Sequence, residues 1–145
     1  MDRSTGCDPR IAGRRLRVGV FDNDAGMLVA KAVLDPGADV TIGGDSAAQL
    51  QVPGWSGPAL LLIADGHLLH LGPGMRLHMC HDDGEDRVVG EFDELIAQGL
   101  TLPIRIKVSK LNIRVRKGLS VFAKYLMADE PEWPESSDWS KPVPP

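Results

Sequence analysis

Residues 102–118 read LPIRIKVSKLNIRVRKG, a run in which apolar and charged side chains alternate. Successive side chains of a β-strand point to opposite faces, so a period of two is typical of a strand with one buried face. The apolar positions are Ile104, Ile106 and Val108 in a first strand and Ile113 and Val115 in a second. The alternation therefore predicts a β-hairpin that packs this apolar face against a core.

The opposite face of the predicted hairpin is basic. It carries Arg105, Lys107, Arg114 and Arg116, with Lys110 at the turn and Lys117 at the exit. Like charges directly across a β-ladder repel each other, so such a face needs solvent, carboxylates from elsewhere or an anionic partner. Two interpretations stay open: an edge hairpin whose cations discourage aggregation, and a docking surface for an acidic segment of a protein partner.

A residue pattern typical of β-strands extends on both sides of this stretch, over residues 14–127. Short runs of Val, Ile and Leu are separated, about every eight to twelve residues, by Gly, Pro, Asn or Asp, as in β-sandwiches and barrels. The predicted strands lie near 14–22, 27–34, 38–43, 48–52, 58–64, 67–71, 74–80, 86–91, 102–108, 110–116 and 119–127. One short helix is predicted at Glu91 to Gln98, with Gly99 as its C-terminal cap. The sequence thus predicts an all-β fold of about eleven short strands.

Composition limits the possible classes of protein. The 145 residues are 43% hydrophobic and 25% charged, which fits one globular domain. A formal charge of −4 gives no overall positive field for nucleic acid. Cys7 and Cys80 do not form a secreted disulfide framework, and the first residues lack the apolar region of a signal peptide. We therefore predict a soluble cytoplasmic protein.

The predicted domain occupies residues 14–128. Residues 1–13 are polar and are predicted to form a flexible leader. Residues 129–145 are rich in proline and acid, which predicts a linker or tail and, as a hypothesis, a longer polypeptide of which this domain is one part.

A second stretch, residues 40–59, reads VTIGGDSAAQLQVPGWSGPA. It resembles the phosphopeptide-binding half of a forkhead-associated (FHA) domain, in which a strand ending in Ile-Gly-Arg is followed by a polar loop, a short strand and Ser-Arg-x-His. The matching residues are Ile42, Gly43, Leu50, Val52 and Ser56. The resemblance implies an FHA-like β-sandwich that recognises a protein. It also implies a cytoplasmic domain of a larger, membrane-anchored assembly, since phosphate-independent members occur in bacterial envelope and secretion machines.

The residues that bind phosphate in that family are replaced in this sequence. Gly44 and Gly57 stand at the two arginine positions and Ala59 at the histidine position. Phosphothreonine carries close to two negative charges and is held by charge-assisted hydrogen bonds from arginine. We therefore predict that phosphothreonine binding is lost or weak, and that the loops bind a partner through Gly44, Asp45, Ser46, Trp55 and Ser56.

All four histidines lie in residues 67–81, near Cys80, Asp82 and Asp83. Zinc requires such ligands to converge, but the parity of His67 against His70, and of Cys80 against His81, places each pair on opposite faces of a strand. We therefore predict solvated histidines, no metal site and no cofactor. A metal-binding domain that uses His67 to Asp83 stays an alternative.

No catalytic constellation is recognisable. The sequence lacks a Gly-x-Ser-x-Gly elbow and a phosphate-binding P-loop, which predicts a protein without enzymatic activity. The predicted function is a non-catalytic scaffold module that binds an acidic protein segment. A basic hairpin that docks on anionic lipid or nucleic acid is a further alternative, with nucleic acid disfavoured by the net charge.

Overall fold

The computed structural model describes residues 13–52, 54–55, 59–64, 66–80, 88–101, 104–106, 108–116 and 118–127, with backbone alone at 66–69, 88 and 105–106. Eleven strands and one helix occur within them: β1 Leu16–Asp22, β2 Met27–Leu34, β3 Asp39–Gly43, β4 Leu50–Gln51, β5 Leu60–Ile63, β6 Gly66–Leu69, β7 Arg76–Cys80, β8 Val88–Glu91, α1 Phe92–Ala97, β9 Ile104–Ile106, β10 Lys110–Arg116 and β11 Leu119–Tyr125. The predicted all-β fold with one short helix is confirmed. The predicted tail, and the predicted leader apart from Gly13, lie outside the described residues.

The strands form two sheets. Six strands lie in the order β2-β1-β11-β10-β7-β8, and five lie in the order β4-β3-β5-β6-β9. Buried apolar residues from both sheets, such as Val18 and Ile113 from the first and Ile42 and Leu62 from the second, belong to one hydrophobic core. Burial of this shared apolar surface is the main driving force for folding.

The predicted hairpin of residues 102–118 is wrong. β9 pairs with β6 in the five-stranded sheet, whereas β10 pairs with β11 and β7 in the six-stranded sheet. Arg105 is therefore in a different sheet from Arg114 and Arg116, and Lys107 lies outside the described residues. The alternation itself is right, since Ile104, Ile113 and Val115 are buried and Arg114 is exposed. A period of two identifies the buried face of a strand but not its neighbour.

Buried residues fix the place where the chain passes from the five-stranded sheet to the six-stranded sheet. Val108 and Ser109 lie between β9 and β10 and are both buried. The Ser109 carbonyl accepts a hydrogen bond of 2.9 Å from the Tyr125 backbone N–H. This contact holds the start of β10 beside the end of β11 and directs β10 into the six-stranded sheet.

Tyr125 also joins the two sheets through its side chain. It is fully buried, and its hydroxyl donates a hydrogen bond of 3.2 Å to the Ile63 carbonyl at the end of β5. We expect Tyr125→Phe to lower the free energy of unfolding by about 1 kcal/mol, the usual net value of one such bond. Urea unfolding followed by tryptophan fluorescence measures this, and a variant as stable as the wild type would contradict it.

Candidate functional site

The loop after β3 is an ordered turn. The Asp45 carboxylate accepts a hydrogen bond of 3.0 Å from the Ala47 N–H, and the Asp45 carbonyl accepts one of 3.2 Å from the Ala48 N–H. Ala48 is buried, while Gly44, Asp45 and Ser46 are exposed. Aspartate favours turns because its side chain bonds the backbone two residues on. The loop therefore presents the Ser46 side chain to solvent while its own backbone holds the Asp45 carboxylate.

Gly44, at the first arginine position of the FHA pattern, packs closely against Trp55. A Cβ at Gly44 would lie 3.0 Å from the Trp55 carbonyl oxygen and 3.2 Å from Trp55 Cβ. Trp55 is half-buried against the core, and its N–H donates a 3.1 Å hydrogen bond to the Val52 carbonyl. A side chain at position 44 therefore requires Trp55 to move.

Ala59, at the histidine position of the pattern, lies on the other side of the same strand end. A Cβ at Gly43 would lie 3.1 Å from the Ala59 Cβ. The two positions that bear polar side chains in the family thus hold small residues, with Gly44 packed against Trp55 and Ala59 against Gly43. Ser56 and Gly57 lie outside the described residues.

Arg116 reaches these loops from the end of β10. Its Nε donates a hydrogen bond of 3.3 Å to the Gly54 carbonyl, next to Trp55. The structure therefore brings Arg116 beside the predicted loop residues, although they are more than sixty positions apart in sequence. Arg114, two residues earlier, has a different environment.

Arg114 and Arg76 share one carboxylate. They are directly opposite each other on β10 and β7, and Glu91 is opposite Arg76 on β8. Glu91 Oε2 lies 3.2 Å from Arg114 Nη2 and 3.1 Å from Arg76 Nη1. The carboxylate required by a basic strand face is thus supplied from another strand. Sequence reasoning missed this partner because only the strand register places Glu91 there.

The outward face of the six-stranded sheet, which we call the basic face, is positively charged. Residues directly opposite each other in antiparallel strands point to the same side, and the registers of β1, β2, β7, β8, β10 and β11 define three rows there. The first row is Cys80, Lys110, Lys124, Arg17 and Val33. The second is Val89, His78, Asn112, Phe122, Gly19 and Lys31. The third is Glu91, Arg76, Arg114, Ser120 and Phe21.

Within the described strands, these rows hold six cations and one carboxylate, Glu91. Sequence reasoning identified Arg114 and Lys110 of this set. It missed Arg17, Lys31, Arg76 and Lys124, because each is a single cation within its own strand. The basic surface is therefore broader than the hairpin that the sequence predicted, and it is formed mainly by other residues.

The histidines are dispersed over the two sheets. His67 is on β6 of the five-stranded sheet, and His78 is on β7 of the six-stranded sheet. The prediction of solvated histidines is right for His70, which is exposed, and wrong for His78, which is buried. Cys80 is half-buried on the same face as His78. His81, Asp82 and Asp83 lie outside the described residues, within which no three metal-ligating side chains are grouped.

Comparisons with family models, with curated proteins and with solved structures gave no match. In the part of the chain that the structure describes, no helix is long and apolar enough to cross a membrane. Function is therefore inferred from the loop and surface geometry described above.

Proposed function

We propose that this chain is a non-catalytic, FHA-like scaffold module that binds an acidic segment of a protein partner, with phosphothreonine binding lost or weak. Eleven strands in two sheets around one core support the fold that the resemblance over residues 40–59 implies. The observation that carries the proposal is the close packing of Gly44 against Trp55. The proposed setting is the cytoplasmic part of a larger, membrane-anchored assembly, as in the members of the family that do not read phosphate.

The loop chemistry supports weak phosphate binding. Charge-assisted hydrogen bonds from arginine hold a phosphate strongly because the guanidinium matches its oxygens in charge and geometry. Position 44 has no side chain, and the neighbouring Asp45 carboxylate repels an anion. Arg116 reaches the same loops, but its Nε already donates to the Gly54 carbonyl.

The charge distribution supports an acidic partner. Within the described strands, the basic face holds six cations and one carboxylate, on a chain whose formal charge is −4. This face therefore attracts anionic segments locally although the whole molecule does not. The loop residues Asp45, Ser46 and Trp55 lie at the end of the other sheet and would supply selectivity for the partner. Arg116 lies between the two regions.

The test is binding measured by fluorescence anisotropy with three labelled probes: an oligoglutamate peptide, a phosphothreonine peptide and its unphosphorylated twin. We expect the oligoglutamate peptide to bind the wild type and to bind Lys110→Glu/Lys124→Glu at least about tenfold more weakly, since close charge pairs contribute strongly to such complexes. The charge-matched control is Arg3→Glu/Arg10→Glu, which changes the net charge equally without altering any residue of the three rows.

Two outcomes would overturn the proposal. One is a phosphothreonine peptide that binds about tenfold more tightly than its unphosphorylated twin, which would restore phosphopeptide recognition. The other is equal weakening of oligoglutamate binding by the variant and by its control, which would reduce the interaction to net charge.

A further inference from the structure

Two arginines of the basic face converge on one carboxylate of the same chain. Arg76 on β7 and Arg114 on β10 are directly opposite each other, and Glu91 on β8 continues their row. Among the described residues, the hydrogen bonds of both guanidinium groups go to the Glu91 carboxylate. The position between the two guanidinium groups is therefore a site that holds a carboxylate, and its occupant in this structure is internal.

The internal pairing is weaker than these groups allow. Arg76 Nη1 donates to Glu91 Oε2 over 3.1 Å, and Arg114 Nη2 donates to Oε1 and Oε2 over 3.3 and 3.2 Å. Hydrogen bonds between arginine and a carboxylate are usually about 2.7–2.9 Å long, and the strongest pairs use two guanidinium nitrogens in parallel. Each arginine here uses a single nitrogen, although a guanidinium group has five N–H donors. A carboxylate that is not tethered to β8 can therefore adopt a better geometry.

The site is accessible to a partner. The Arg76, Arg114 and Glu91 side chains are 29%, 46% and 38% exposed. Water competes for both members of an exposed ion pair, so each such pair contributes little to stability. Two arginines beside one glutamate also leave one positive charge in excess. An incoming carboxylate is therefore attracted to the site and displaces only weak internal pairs.

The main chain around Glu91 is held independently of these ion pairs. The Glu91 N–H donates a hydrogen bond of 3.0 Å to Glu94 Oε1, and the Phe92 N–H donates one of 3.0 Å to the Met75 carbonyl. When the Glu91 carboxylate turns into solvent, it gives up the ion pairs and its own half of the capping box with Glu94. These two backbone bonds persist, so β8 keeps its place while the carboxylate is exchanged.

The surroundings favour a carboxylate that belongs to an extended acidic segment. Lys110 lies on the same face of β10 as Arg114, four residues earlier, which is a distance of about 13 Å along a strand. An extended peptide likewise presents residues i and i+4 on one face at this spacing. A segment that runs along β10 thus places one carboxylate at the two arginines and another at Lys110. A lone anion gains only the first of these contacts.

We propose that Arg76 and Arg114 form the anchor for the acidic segment of the partner, and that a carboxylate of this segment takes the place of Glu91 between them. This inference rests on the function proposed above. Glu91 is then an internal competitor, which neutralises the two arginines in the free protein and lowers the affinity for the partner.

The test measures oligoglutamate binding by fluorescence anisotropy in the full chain. We expect Glu91→Gln to raise the affinity about threefold, the equivalent of one exposed ion pair. The control is Asp93→Asn, which makes the same change of charge two residues away and should give a distinctly smaller gain. In the variant Arg76→Gln/Arg114→Gln we expect weaker binding, and there Glu91→Gln should have no more effect than Asp93→Asn. Circular dichroism establishes that each variant is folded.

Equal gains from Glu91→Gln and Asp93→Asn would overturn the proposed exchange. The proposed function would survive that result if the reversal of Lys110 and Lys124 still weakened binding. A gain from Glu91→Gln that persists without the two arginines would also overturn the exchange, because Glu91 would then act through overall charge. Oligoglutamate that binds neither the wild type nor Glu91→Gln would reject the proposed function and the anchor together.

Discussion

Replacing Gly19 by valine is expected to lower the free energy of unfolding by about 3 kcal/mol. A Cβ at this position would lie 2.4 Å from Phe122 Cζ, 2.9 Å from Phe122 Cε1 and 3.0 Å from Leu28 Cδ1. Valine favours strands over glycine, so propensity alone predicts the opposite sign. The contact decides the outcome, because overpacking a filled site costs about 1–3 kcal/mol and the ring must also leave its place on the sheet. Urea unfolding with linear extrapolation measures the difference.

A double-mutant cycle tests the cause of that loss. If the Phe122 ring is responsible, Phe122→Leu should cost less in the Gly19→Val chain than in the wild type, because the smaller side chain leaves room for the valine. Residues in contact commonly couple by about 0.5–3 kcal/mol. Additive losses, or a Gly19→Val chain as stable as the wild type, would contradict the close approach of Gly19 and Phe122.

The sequence was sufficient to locate the strands but not to identify which strands pair with each other. Alternation and turn residues locate all eleven strands and α1, including Gly99 with a φ of +100° after the helix. Ile104 and Ile113 were correctly assigned to a core-facing side. Their strands nevertheless lie in different sheets, because both bury an apolar face in the same core and local pattern does not choose between neighbours.

The candidate site, too, could be predicted only in part from the sequence. The absence of an arginine at position 44 can be recognised in the sequence, because Gly44 departs from the FHA pattern over residues 40–59. The packing of Gly44 on Trp55 is not visible there, since it depends on the paths of two loops. The basic face is the clearest case: Arg17, Arg76 and Lys124 come from three strands and meet only through the register.

Replacing Glu91 by lysine is expected to lower the free energy of unfolding by about 2 kcal/mol. Glu91 is the carboxylate between Arg76 and Arg114, whose side chains are 29% and 46% exposed. Each exposed ion pair contributes only about 0.2–1 kcal/mol, but the substitution removes two pairs and adds a third like charge. It also places a cation at the N-terminus of α1, where the backbone dipole favours acids. Glu91→Gln should cost about half as much, because it removes the attraction without adding repulsion.

The matched control is Asp93→Lys, which makes the same change of charge at an exposed position in the first turn of α1. It shares the helix-dipole effect but neither the capping box of Glu91 with Glu94 nor the contact with Arg76 and Arg114, so it should cost distinctly less. In 1 M salt the difference between the two variants should shrink, since exposed charges are screened. Equal losses in the two variants, or a difference that does not respond to salt, would contradict this role of Glu91.

Glu91→Lys also separates stability from binding. The substitution removes the carboxylate found in the three described rows of the basic face and adds a cation in its place. The free energy of unfolding should fall because the added charge is repelled by Arg76 and Arg114. An oligoglutamate peptide should bind more tightly, because the same charge attracts it. Opposite signs for the two effects, measured by urea unfolding and by anisotropy on one preparation, together with a smaller gain in affinity for the charge-matched Asp93→Lys, are expected only if this face is a docking surface. A surface whose cations serve solubility alone would lose stability without gaining affinity.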